Sequence, residues 1–144
     1  MNKRLVTDFF RHDHDQLEGL FHEFYETRKV ALFQRLALAM DRHLDLEDNQ
    51  MFPLYERRAG QAGQQPISAM RTEHEELKNL LTMIHSHLAN NDSAVALAVT
   101  RLGELMELHH SREEAIVYGL IDDQLNDAER AQLFAHLDEW GQAS

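Results

Sequence analysis

The chain has 144 residues, which suits one domain, and its 25 acidic against 14 basic side chains give a formal net charge of −11. A surface this acidic repels phosphate, which argues against nucleic acid and anionic membrane as partners. Apolar residues form 43% of the chain, enough to build a core, yet no apolar run approaches the roughly 20 residues of a spanning helix. Asp8 and Arg11 interrupt any secretory pattern at the amino terminus, so a cytoplasmic location is expected. Cysteine is absent, which excludes disulfides, thiolate metal ligands, iron–sulfur clusters and cysteine nucleophiles. The outlier is histidine, with ten residues.

Apolar residues recur at intervals of three and four, so helices are expected throughout and strands are not. The first helix is expected from about Leu5 to Thr27, with Phe10, His14, Leu17, Phe21 and Phe24 on one face. The second, from about Val30 to Arg57, aligns Leu36, Met40, His43, Glu47, Met51 and Leu54. Gly60, Gly63 and Pro66 mark Arg58 to Pro66 as the longest loop. A third helix, from about Ile67 to Leu88, aligns Met70, His74, Leu77, Leu81 and Ile84. Asn90-Asn91-Asp92-Ser93 reads as a polar turn in which Asp92 or Ser93 caps the next helix. The fourth helix, from about Ala94 to Ile121, aligns Leu102, Met106, His109, Glu113, Ile116 and Leu120. A shorter fifth, from about Asp127 to Trp140, carries Leu133, Leu137 and Trp140. The expectation is one all-α domain over 1–144. Residues of about 5–121 would form an antiparallel up-down-up-down four-helix bundle. The fifth helix would pack on an outer face or at the contact of a homodimer.

Each of the four long stripes is interrupted by a histidine near its middle, and two carry a glutamate four residues later. Four residues turn a helix by about 400°, so His43 shares a face with Glu47, and His109 with Glu113. Buried carboxylates are costly unless their charge is compensated. The heights agree. Residues level with each other in an antiparallel hairpin are equidistant from its turn. The midpoint of His14 and His43 falls in Thr27-Arg28-Lys29, that of Glu47 and His74 in the Gly60–Gly63 stretch, and that of His74 and His109 at Asn91-Asp92. His14, His43, Glu47, His74, His109 and Glu113 therefore converge on one layer, to within roughly one helical turn. Imidazole and carboxylate without thiolate suit iron, manganese or zinc. Two six-coordinate ions need about twelve bonds. Four histidines, two bridging glutamates and a shared oxygen leave about two positions for solvent, dioxygen, peroxide or nitric oxide.

Together these motifs resemble the hemerythrin-like HHE cation-binding family. They are His14; His43-x-x-x-Glu47 with Asp48 and Met51-Phe52-Pro53; Glu73-His74; and His109-His110-Ser111-Arg112-Glu113-Glu114. The segment Glu47-Asp48-x-x-Met51-Phe52-Pro53 repeats as Glu113-Glu114-x-x-Val117-Tyr118-Gly119, which equates His43 with His109. That alignment selects His109 and Glu113 over His110 and Glu114. The resemblance covers about residues 5 to 140. It implies a four-helix bundle around a bridged di-iron centre that serves dioxygen binding, sensing of oxygen, iron or nitric oxide, or repair of iron centres. Oxygen-carrying members use His-x-x-x-His on the third helix and His-x-x-x-x-Asp on the fourth. Here the third helix has His74-x-x-x-Lys78, and Glu113 or Glu114 stands in place of the aspartate. These departures point away from reversible oxygen carriage and toward sensing and iron handling.

The expected function is binding of dioxygen, nitric oxide or peroxide at two iron ions, with mixed manganese–iron as an alternative metal content. His14, His43, His74 and His109 are expected as terminal ligands and Glu47 and Glu113 as bridges. The rival is a di-iron enzyme that reduces peroxide or nitric oxide, or supports iron-centre repair, with electrons from a partner. A metal- and small-ligand-binding protein is expected ahead of an enzyme. Glu18 and His12 are the other candidates for the site. His110 is expected outside it, exposed or beside a ligand, and His22, His85, His87 and His136 on the surface. Glu73 and Asp48 are either acceptors for ligand imidazoles or solvated. Tyr118 reads as packing, close enough to line a path inward.

Overall fold

The computed structural model describes residues 3–143, without the side chains of 62 and 140–143. All regular structure among the described residues is helical, and the chain folds as a helical bundle. The first rod is α1 (Val6–Thr27), the second α2 (Val30–Asp45), continued by a π-helical turn (Leu46–Met51) and α3 (Phe52–Ala59). A 3-10 turn (Gly60–Gly63) leads to α4 (Gln64–Ala89). Then come α5 (Val95–Arg112), a second π turn (Glu113–Val117), α6 (Tyr118–Gln124) and α7 (Asp127–Ala143). α1 packs on α2, α5 and α6, and α4 packs on α2 and α5.

The turns have local causes. Arg28 adopts φ 56 and ends α1, its N–H returning to the Phe24 carbonyl. The stretch expected as the longest loop is instead a single 3-10 turn. Gly60 at φ 65 reverses the chain in a region that other residues enter only under strain. Pro66 lies in the first turn of α4, where no intrahelical acceptor waits for its missing N–H. Between α4 and α5 the N-cap residue is Ala94 and not the expected Asp92 or Ser93; Asp92 Oδ1 instead holds the turn by accepting the Ala94 N–H at 3.0 Å.

Two apolar blocks fill the interior. One gathers Leu17, Phe21, Phe24, Phe33, Leu36, Met40, Leu44, Leu77, Leu102 and Met106. The other gathers Val6, Phe10, Met51, Phe52, Ile67, Tyr118, Ile121, Leu133 and Leu137. In α1 the boundary falls between Phe10 and Leu17, at His14. The hydrophobic effect thus fixes the rods on both sides of a polar layer that apolar burial alone would not create.

The fourth stripe departs from expectation beyond Glu113. Ile116 is 59% and Leu120 39% exposed, whereas Val117, Tyr118 and Ile121 are buried. A π turn holds more residues than an α turn, so the inward face advances by one position. Leu133 and Leu137 of α7 are covered within their own chain, and the side chain of Trp140 lies outside the described residues. Asp122 ties this end together. It accepts the Val6 N–H at 2.7 Å, the Thr7 N–H at 3.1 Å and the buried Arg130 guanidinium at 2.9 Å.

Candidate metal centre

The layer brings all six expected residues together, every one essentially without solvent contact. α1 supplies His14 and α2 supplies His43, followed by Glu47 in the first π turn. α4 supplies His74 and α5 supplies His109, followed by Glu113 at the start of the second π turn. Glu47 Oε1 lies 3.1 Å from His43 Nε2 and 3.2 Å from His74 Nε2. Glu113 Oε1 lies 3.2 Å from both His14 Nε2 and His109 Nε2. Each carboxylate therefore stands between two imidazoles that come from different rods.

The Nδ1 atoms explain why the rings are aimed inward. His14 Nδ1 pairs with Glu114 at 2.8 Å and His43 Nδ1 with Asp13 at 2.6 Å. His74 Nδ1 pairs with Asp48 at 2.8 Å and His109 Nδ1 with Glu73 at 2.7 Å. The pattern is a ring. α1 supports the histidine of α2, the α2 rod that of α4, α4 that of α5, and the α5 rod that of α1. A carboxylate on one imidazole nitrogen orients the ring and raises the basicity of the other nitrogen. Of these four acids, sequence reasoning considered Asp48 and Glu73 and missed Asp13 and Glu114. The signal was present: Asp13-His14 parallels Glu73-His74, and Glu47-Asp48 parallels Glu113-Glu114.

Of the two expectations for His110, exposure or a place beside an expected ligand, the structure shows the second. His110 is 1% exposed, and its ring stacks on that of His14 at 3.7 Å between centroids and 9° between planes. Its Nδ1 faces Glu18 at 3.2 Å, which occupies Glu18 at the edge of the layer. The reason is that α5 packs against both α4 and α1, so His109 and His110 face different neighbours of one helix. His12 is exposed and contacts Gln16 instead. His22 and His85 are exposed, while His87 and His136 are half-buried away from the layer.

Tyr118 is also in the layer, fully buried. Its hydroxyl lies 2.6 Å from Glu47 Oε2, 3.0 Å from Glu113 Oε1 and 3.0 Å from His14 Nε2. The π turn that expelled Ile116 placed it there.

The electrostatics belong to a site made for cations. Burial opposes charge on His43, but Glu47 and Asp13 outweigh it and raise the imidazole to about 10. Burial is likewise outweighed at His74, which Asp48, Glu113 and Glu47 raise to about 11. His109 is raised against its burial by Glu113. Glu113, despite burial, is held well below the usual carboxylate range by His109, His14 and His74. Burial, with His14 and His43 alongside, pushes His110 down to about 2. Burial and the carboxylates of Glu113 and Glu47 push the Tyr118 phenol up.

The donor set fits metal. His43, His74, His109 and His110 each have a buried Nε2 without a hydrogen-bond partner, as do Glu47 Oε1 and Glu113 Oε2. Buried polar atoms are rarely left so, and six in one layer call for a common partner. Two groups of donors have the spacing to hold an ion: His14, His43 and His110; and Glu47, His74, His109 and Glu113.

No curated protein and no solved structure matches the chain. The family model described as the hemerythrin HHE cation-binding domain matches residues 5–121, with a second, overlapping match over 65–142. The first match contains the whole layer of histidines and carboxylates. The chain therefore belongs to the hemerythrin HHE cation-binding domain family.

Proposed function

We propose that this layer holds two iron ions and that the protein uses them to bind dioxygen, nitric oxide or peroxide in sensing, scavenging or iron handling. The observation that carries the reading is the position of Glu47 and Glu113. Each lies against one imidazole of the His14–His43 side and one of the His74–His109 side. A carboxylate so placed can bridge. His14 and His43 then serve one ion and His74 and His109 the other, and His110 adds a nitrogen beside His14 and His43. All-nitrogen and oxygen donors suit iron, and bound iron would supply the change of oxidation state that small-ligand chemistry needs.

The rest of the chain prepares the site. The four Nδ1 carboxylates fix the tautomers and aim each Nε2 inward. The two apolar blocks exclude bulk water and strengthen every electrostatic contact between them. We read the rods of α1, α2–α3, α4 and α5–α6 as running alternately up and down. Their short connections and the packing of successive rods support this.

The test is iron per chain after anaerobic loading with ferrous iron, followed by absorption spectra before and after exposure to air or nitric oxide. Two irons per chain and a spectrum that responds to the gas are expected. Less than one iron per chain, unchanged by His43→Ala, would overturn the assignment.

A further inference from the structure

The repeat that relates the two halves of the layer is broken at one place where chemistry changes. Glu47-Asp48-x-x-Met51-Phe52 corresponds to Glu113-Glu114-x-x-Val117-Tyr118, so Phe52 is the counterpart of Tyr118. The two rings sit beside corresponding histidines, with planes 13° apart at Phe52 and 37° apart at Tyr118. Phe52 stacks near His74 at 5.7 Å, and Tyr118 lies near His14 at 5.6 Å, each fully buried. Packing at this position needs only a phenyl ring, as Phe52 demonstrates. The hydroxyl of Tyr118 is an addition, and burying a hydroxyl costs free energy unless it is partnered.

Its partners are the second observation. The oxygen touches Glu47 Oε2, Glu113 Oε1 and His14 Nε2, three atoms of the layer assigned above to metal. A phenol has one hydrogen to donate and cannot serve both carboxylates and the imidazole at once. A cation can be shared by all of them. The spacing agrees. Tyr118 Oη to His14 Nε2 is 3.0 Å, Oη to Glu113 Oε1 is 3.0 Å, and His14 Nε2 to Glu113 Oε1 is 3.2 Å. Donors about 2.1 Å from a six-coordinate ion and at right angles lie about 3.0 Å apart. The three atoms therefore have the separation of one triangular face of such a coordination shell.

We infer that Tyr118 Oη is itself a metal donor, a phenolate oxygen on the ion that His14 and His43 serve. This rests on the metal reading above and gives it a contact that the other half of the layer lacks. On binding, the Tyr118 O–H bond breaks, its proton leaves to solvent, and the oxygen lone pair forms the new bond. No change of oxidation state is required. Tyr118 would give the ion beside His14 a protein donor that the ion beside His74 and His109, which would face Phe52, lacks, so an exogenous ligand would find more room at the latter.

The chain has three tyrosines, Tyr25, Tyr55 and Tyr118, which makes the test clean. Ferric-loaded protein is examined by visible absorption and resonance Raman spectroscopy, with iron per chain measured in every sample. The expected result is a broad visible charge-transfer band whose excitation enhances phenolate ring modes. Both persist in the Tyr25→Phe/Tyr55→Phe double variant and vanish in Tyr118→Phe, while that variant still binds iron. If Tyr118→Phe fails to fold or to bind iron, the double variant decides, because its only phenol is Tyr118. Iron bound by wild type without phenolate modes would overturn the inference and leave the metal centre standing. Failure of wild type to bind iron would overturn both.

Discussion

Replacing Asp13 by alanine should weaken metal binding more than it weakens the fold. Asp13 accepts from the Nδ1 of His43 at 2.6 Å, and His43 is buried while the Asp13 side chain is 29% exposed. Asp13 also lines a surface groove between α1 and α2 together with His12 and Gln16. Water can therefore replace the lost oxygen, so the metal-free fold should lose only about 1 kcal/mol, the net worth of a replaceable hydrogen bond. The metal-bound state loses the group that orients His43 and raises its basicity. Such losses cost roughly 10–100-fold in affinity, or about 1.4–2.7 kcal/mol. Asp13→Asn keeps an acceptor without the charge and should fall between. The assay is competition for ferrous iron against a chromogenic chelator under anaerobic conditions, with thermal unfolding of chelator-treated protein measured in parallel. Asp15→Ala, at an exposed carboxylate two residues away, is the control. Equal affinities for Asp13→Ala, Asp15→Ala and wild type would refute the role assigned to the ring of carboxylates.

Two further outcomes are expected from the same layer. His43 and His74 sit at about 10 and 11 without metal, above the ordinary 6.5 of imidazole, so the folded protein binds more protons than the unfolded chain in between. Their stabilisation is complete below about pH 6.5 and is lost as pH rises through about 10, so the Tm of metal-free protein should fall from pH 7 to 10. Metal must displace these protons, so ferrous affinity should rise over the same window; a metal-free Tm that is flat or climbs would contradict the assignment. On the proposed two-iron reading, His110→Leu should weaken binding of one ion severalfold. It should also raise the metal-free Tm, since it removes a buried nitrogen without a partner. Unchanged binding isotherms would show that His110 contributes nothing to the centre.

Much of the fold was legible because periodicity speaks directly in an all-helical chain. The stripes through Phe10, Leu17, Leu36, Met40, Leu77 and Leu102 are buried where spacing puts them. The convergence of His14, His43, Glu47, His74, His109 and Glu113 was legible because distance from a turn sets height in a hairpin. What escaped was whatever depends on departures from a regular α-helix. The π turn at Glu113–Val117 carries no residue-level mark, so a 3.6-residue period carried through it selects Ile116 and Leu120 rather than Val117, Tyr118 and Ile121. Assigning one seam per helix likewise excluded His110, since a helix with neighbours on two sides buries a wider arc. Asp13 and Glu114 were missed for a different reason. Their charge suggests solvent, and the internal parallels with Glu73-His74 and Glu47-Asp48 that mark them were left unused.

The ring of carboxylates also gives the buried layer a connection to its surroundings. Asp13 and Glu114 are each 29% exposed, Asp48 16% and Glu73 11%, while the imidazoles they touch are sealed. Each inward-facing nitrogen is thus one aromatic ring and one hydrogen bond away from an acid that water reaches. An imidazole that held a metal through its inward nitrogen would still share the proton on its other nitrogen with the carboxylate. A change of charge at the centre could therefore be compensated by moving that proton toward any of four acids, while the apolar walls stay shut. The same residues that aim the ligands would let the interior exchange charge with solvent without admitting solvent.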